Sequence, residues 1–137
     1  MTDREIREIL KTCRSIAMIG ASTNLGRPSN GVGRFLIEKG YEVHPVNPGH
    51  AGEILFGRKI VASIANLPAG IEMIDIFRRP EHVLRIVEEA IETLPDLRVV
   101  WMQLGVVHEG AAETARASGL SVVMDRCPKI DYARLLS

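Results

Sequence analysis

Residues Ile16, Ala17, Met18, Ile19, Gly20 and Ala21 form an unbroken run of small and apolar side chains. That run passes straight into Ser22-Thr23-Asn24-Leu25-Gly26-Arg27-Pro28-Ser29-Asn30-Gly31-Val32-Gly33. An apolar strand that breaks at glycine, crosses a polar loop and reopens as a helix is the first turn of an α/β unit. It constrains the fold more than any other feature of the chain, because parallel strands need a helical crossover and a sheet covered on both faces. It also presents backbone N–H groups at a helix start, where negative charge is favoured.

The same alternation recurs along the chain. Thr2 and Glu5 have the spacing of a capping box, and Ile6, Ile9, Leu10 and Cys13 follow at helical intervals, so residues 3–12 are read as a helix. Strands are predicted over 15–20, 42–46, 73–77, 98–102 and 121–124. Helices are predicted over 31–39, 80–94 and 109–118, with a short last one around 132–136. Residues 54–60 are read as a turn or short extra strand, and 63–68 as a short helix. This pattern predicts an α/β fold: a Rossmann-like, doubly wound parallel sheet of about five strands with helices on both faces. At 137 residues the chain is read as one domain spanning 1–137. In such sheets the ligand lies beyond the carboxyl ends of the strands, at the switch point in strand order. Five loops then surround one crevice: 20–31, 47–50, 77–80, 102–108 and 124–129.

Charge narrows the partners. Lys and Arg together number 17, as do Asp and Glu, so nothing in the balance points to nucleic acid or a membrane surface. With no apolar signal core and no long apolar span, a cytoplasmic location is expected. Cys13 and Cys127 match no zinc spacing, and the four histidines form no metal-binding pattern.

The first loop also excludes. A dinucleotide fingerprint would need glycine at position 22, which is Ser22, and no Gly-Lys-Ser/Thr phosphate loop occurs. Nicotinamide cofactors are usually held by an acidic residue at the end of the second strand. Here that strand ends in Val46-Asn47-Pro48, with no carboxylate. Arg27 and Asn30 add donors where phosphates would lie.

At these residues the chain resembles small CoA-binding proteins related to the CoA-binding domain of the succinyl-CoA synthetase α subunit. The motifs are Gly20-Ala21-Ser22 with Arg27-Pro28-Ser29, then Tyr41 to Pro48, Asp75 to Arg79, Trp101 to Gly105, and Met124 to Lys129. The resemblance runs from the first strand to the C-terminal helix and implies a Rossmann-like fold that binds coenzyme A. It places Gly20, Ser22, Arg27 and Ser29 near the phosphates, counts Pro28 of the same motif among the cofactor-binding residues, and sets Asn47 and Pro48 along the cofactor and Phe77, Arg78 and Arg79 at its adenine or phosphate end. Ligase activity does not carry over, because the phosphorylated histidine of that family lies beyond the region matched here.

Three further residues complete the candidate site. Gln103 follows the strand that carries Trp101 and has an amide to offer a ligand. Gly105 lets a chain approach closely. Cys127 lies between Arg126 and Lys129, cations that favour a thiolate, and is read as the more reactive cysteine. Arg78 and Arg79 suit a ligand with three phosphates. No nucleophile–base pair is evident, so the first reading is non-catalytic binding of CoA or an acyl-CoA, as a carrier, sensor or regulatory module. The alternatives are an NAD(P)-linked oxidoreductase and a partner-dependent acyl-CoA-handling subunit. An exposed apolar face at Tyr132, Leu135 and Leu136 would favour a protein partner or a homodimer.

Overall fold

The structure is a computed structural model and describes residues 1–136. Five parallel strands form the main sheet: β1 (Ser15–Ile19), β2 (Glu42–Val46), β5 (Met73–Ile76), β6 (Val99–Met102) and β7 (Ser121–Val123). A separate antiparallel pair, β3 (Ile54–Leu55) and β4 (Arg58–Lys59), interrupts the sequence after β2. The main sheet has the order β2-β1-β5-β6-β7. From β1 the chain steps outward to β2, then returns to place β5 on the other side of β1. The switch point therefore lies between β1 and β5, in register from Ile16 opposite Met73 to Ile19 opposite Ile76.

Period-two alternation sends neighbouring side chains to opposite faces, so each strand serves two cores. Ile16, Met18, Met73 and Trp101 pack under α1 (Asp3–Thr12), α2 (Pro28–Glu38) and α5 (Pro128–Leu135). Ala17, Ile19, Ile74, Ile76 and Val100 pack under α3 (Pro80–Thr93) and α4 (Glu109–Ala117). Double burial explains why the strands read as continuous apolar runs.

The doubly wound, five-stranded prediction matches this architecture, with corrections at the edges. Helix α2 begins at Pro28, three residues before the predicted start, so Gly31 and Gly33 lie inside the helix and do not open it. Likewise α5 begins at Pro128 and runs well ahead of Tyr132. Proline suits the first helical position because its missing N–H would be unpaired there anyway. The C-terminal apolar residues are not an exposed face. Tyr132 stands edge-on to Phe35 and Tyr41, and Leu135 and Leu136 pack against the α1–α2 core.

Candidate functional site

The carboxyl ends of the strands open into a cleft of about 560 Å³. Ten of the thirteen sequence-selected residues line it: Gly20, Ser22, Arg27, Pro28, Ser29, Asn47, Phe77, Arg78, Gln103 and Cys127. Arg79, Pro48 and Gly105 do not. Arg79 precedes α3 and is exposed, whereas Arg78 lines the cleft. Pro48 borders a neighbouring hollow of about 120 Å³, which Arg78 also lines. Gly105 is a turn residue: its φ is +83° and nothing lies within 4 Å of where a Cβ would be. Its N–H donates to Asp125 Oδ1 at 2.7 Å, so it closes a loop and no chain passes close to it.

The loop after β1 is braced from two sides. Asn30 of α2 donates through Nδ2 to Ser22 O at 3.0 Å, and Asn47 donates through Nδ2 to Ala21 O at 2.8 Å. Ser22 accepts the N–H of Asn24 at 3.1 Å, tightening the turn. Gly20 adopts φ +91°, a conformation costly for any residue with a Cβ. A Cβ there would lie 2.4 Å from the Phe77 carbonyl oxygen. Gly20 thus lets the two switch-point loops touch, a packing role in addition to any approach of a ligand.

Three helices, α2, α3 and α5, start with proline on this side of the sheet, and none has a side-chain cap. By contrast, α1 has the capping box from Thr2 and Glu5, and α4 is capped by His108, whose Nδ1 accepts from Ala111 N at 2.9 Å. Uncapped first-turn N–H groups are the standard backbone partners of an anion. Arg27 and Arg78 enter no ion pair among the described residues.

The surroundings of Cys127 differ from the expectation. Arg126 is engaged by Asp131 through Nε at 2.7 Å and Nη2 at 3.0 Å. The Lys129 ammonium lies over the Phe35 ring, 5.6 Å from its centroid. Both cations beside Cys127 in sequence are therefore committed to other groups. Gln103 is buried, and its Oε1 has no hydrogen-bond partner among the described residues.

Sequence reasoning missed four lining residues: Val32, His50, Leu104 and Val106. The valines and Leu104 are apolar and carry no chemical signature. His50 belongs to a short 3-10 turn at Pro48–His50, set by Asn47 accepting from Gly49 N at 2.9 Å. Its Nδ1 lies 2.8 Å from Glu53 Oε2. Among the described residues no group of three or more potential ligands could hold a metal ion, and no helix is long and apolar enough to cross a membrane.

Strand order, braced first loop and uncapped helix starts define a class: doubly wound α/β domains with a cleft at the switch point. Comparison with known proteins gives the family. Residues 14–133 match the CoA binding domain family, and the chain belongs to it. It is 36% identical over 129 residues to YneT, an uncharacterised protein of Bacillus subtilis (strain 168), covering 94% of this chain and 93% of that one. It is 31% identical over 129 residues to the α subunit of an ADP-forming acetate–CoA ligase from Pyrococcus furiosus. That match takes in 85% of this chain and only 28% of the subunit. A hypothetical protein from Pyrococcus horikoshii OT3 has a superposable structure, with TM-score 0.93, 39% identity, and coverage of 100% of this chain and 94% of that one. A Thermus thermophilus protein is equally close in shape, with TM-score 0.93, 36% identity, and coverage of 99% and 100%.

Proposed function

We propose that this chain is a single CoA-binding domain that holds coenzyme A or an acyl-CoA in the cleft without transforming it. It would serve as a carrier, sensor or regulatory module. Phosphates would lie at the start of α2, against Arg27 and Ser29, with Arg78 reaching them from the loop after β5. Family membership supports the ligand. The observation that carries the choice over a nicotinamide cofactor is Asn47. It stands at the end of β2, where a carboxylate would hold a ribose diol. Its amide is held on the protein's own loops, bridging Ala21 O and Gly49 N. A neutral amide so engaged keeps one N–H and one lone pair and no charge, where a carboxylate would accept from both hydroxyls.

A thermal-shift series with CoA, acetyl-CoA, NAD, NADP and ATP tests this, since a ligand that binds only the folded state raises the melting temperature by mass action. CoA and acetyl-CoA are expected to raise it. A rise with NAD and none with millimolar CoA would overturn the reading.

A partner-dependent role is the second reading. Leu104, Val107 and Ile130, on the carboxyl side of the sheet, are 54%, 45% and 54% exposed. The similarity to one region of a ligase subunit fits a second chain seated there. Light scattering on the purified chain, with and without CoA, distinguishes a monomer from a dimer that covers this rim.

A further inference from the structure

Cys127 stands directly before α5, 6% exposed, and lines the cleft together with Gln103. Two hydrogen bonds hold it there. Trp101 Nε1 donates to Arg126 O at 2.8 Å, and Arg126 N–H donates to Met102 O at 3.3 Å. The chain at 126 is thereby clamped to the end of β6, and residues 103 and 127 face the same space. Its thiol does not cap α5.

Gln103 supplies an independent sign of a ligand. It is 6% exposed, and its Oε1 accepts no hydrogen bond among the described residues. A buried carbonyl left without a donor costs about 1–3 kcal/mol. The residue lines the cleft, and a ligand N–H can complete this oxygen once the amide turns it outward. The pantetheine arm of CoA carries two amide N–H groups and ends in a thiol.

We propose that Cys127 is a thiol-exchange site that captures the sulfur end of coenzyme A as a mixed disulfide, with Gln103 accepting from an amide N–H of the arm. This rests on the reading that the cleft takes CoA. The co-reactant is CoA disulfide. The Cys127 thiolate attacks one sulfur of that disulfide. The bond between the two CoA sulfurs breaks, and one between Cys127 and CoA forms. The second CoA leaves as a thiolate and takes up the proton that Cys127 released. One disulfide is consumed and one made, so no outside oxidant or reductant is needed.

Selectivity comes from tethering. Binding of the nucleotide half makes the exchange intramolecular, with an effective concentration in the millimolar range. The cations flanking Cys127 are paired elsewhere and need not contribute. Cys13 is the internal contrast: it is fully buried under α1, lines no cleft, and burial pushes its thiol pKa up.

The test exposes the reduced protein to micromolar CoA disulfide or glutathione disulfide and follows intact mass, with peptide mapping of the adduct. One CoA per chain is expected on Cys127, formed at least about tenfold faster than the glutathione adduct and released by dithiothreitol. Cys127→Ser is expected to abolish it and Cys13→Ser to retain it. Gln103→Leu is expected to slow the reaction with CoA disulfide but not with glutathione disulfide. An adduct on Cys13, equal rates with the two disulfides, or no adduct overturns the proposal. An unchanged rate in Gln103→Leu overturns the placement of the arm. Calorimetry of the wild-type protein with CoA under a phosphine reductant separates the two claims. Reversible binding there, combined with no adduct from CoA disulfide in the absence of reductant, sinks the exchange site alone, whereas no binding sinks the CoA reading itself.

Discussion

The ring of Phe56 occupies the space over Gly33 that a Cβ would need: that atom would lie 2.2 Å from Phe56 Cζ. Phe56 and Gly57 form the two-residue turn between β3 and β4, with φ of +56° and +74°. A phenylalanine at positive φ is uncommon and must be held by its surroundings. Here the ring packs onto the bare backbone of α2 and pins the hairpin to the helix. Two effects therefore oppose each other in Gly33→Ala. Alanine gains about 1 kcal/mol of helix propensity, while expelling a half-buried aromatic ring loses about 2 kcal/mol. A net destabilisation of about 1 kcal/mol is expected by urea unfolding. In a Phe56→Ala background the sign reverses, and Gly33→Ala stabilises by about 0.5–1 kcal/mol. Additive effects in the two backgrounds would show that the ring does not rest on Gly33.

Gly20 has no such escape. A Cβ there meets the backbone carbonyl of Phe77 at 2.4 Å, and φ is +91°. Backbone cannot swing aside as a side chain can. Gly20→Ala is expected to cost at least about 2 kcal/mol and to displace the two loops that border the cleft. CoA affinity should fall with stability. A variant of wild-type melting temperature would contradict the contact.

Arg27 offers the opposite combination. It is exposed and enters no ion pair among the described residues, so its removal should leave folding unchanged. If it holds a phosphate, the loss is in affinity. Arg27→Ala is expected to weaken CoA binding about tenfold with no change in melting temperature of the free protein, and Arg27→Lys to recover only part, since a point charge cannot reproduce a bidentate contact. Titration calorimetry reads this directly. Equal affinities for the wild type and the alanine variant would remove Arg27 from the site.

The strands were legible because a sheet buried on both faces demands continuous apolar runs, and Ile16–Ile19 or Val99–Met102 admit no other reading. The helix starts were less so. Pro28 and Pro128 each mark a first turn, but the glycines after Pro28 and the aromatic Tyr132 drew the boundaries inward. The order of strands depends on pairing between distant segments and left no local trace. Ser22, Asn47 and Gln103 were legible as cleft residues because they stand just past strand ends, where polar side chains interrupt apolar runs, and Arg27 because it precedes the proline that opens α2. Val32 and Val106 were not, since an apolar side chain facing a cleft has the same pattern as one facing the core. Asp75 interrupts an apolar run in the same way, yet it is fully buried within β5.

Asp75 yields a pH signature. Met18 and Trp101 flank it in register on the neighbouring strands, and neither of its oxygens has a hydrogen-bond partner among the described residues. Burial alone raises its pKa well above the ordinary 3.8. The sign follows from which state holds the proton. Below pH 3.8 both folded and unfolded chains keep it, and this group adds no pH dependence. Above that, the unfolded chain releases the proton while the folded chain retains it, so stability falls as pH rises towards the folded pKa. Glu72 acts in the reverse direction. Backbone N–H groups of Arg14 and Ser15 and the Arg98 guanidinium outweigh its burial and lower its pKa, giving stability that is lost on acidification. The wild-type curve mixes both, but the difference from Asp75→Asn isolates one. Asparagine stays neutral, so whatever constant offset it introduces, unfolding free energies are expected to shift in favour of Asp75→Asn as pH rises above 3.8, by about 1.4 kcal/mol for each pH unit over which the folded carboxyl stays protonated, and to level off once it ionises. Curves that stay parallel from pH 3.8 upward would mean that Asp75 is ionised in the folded protein.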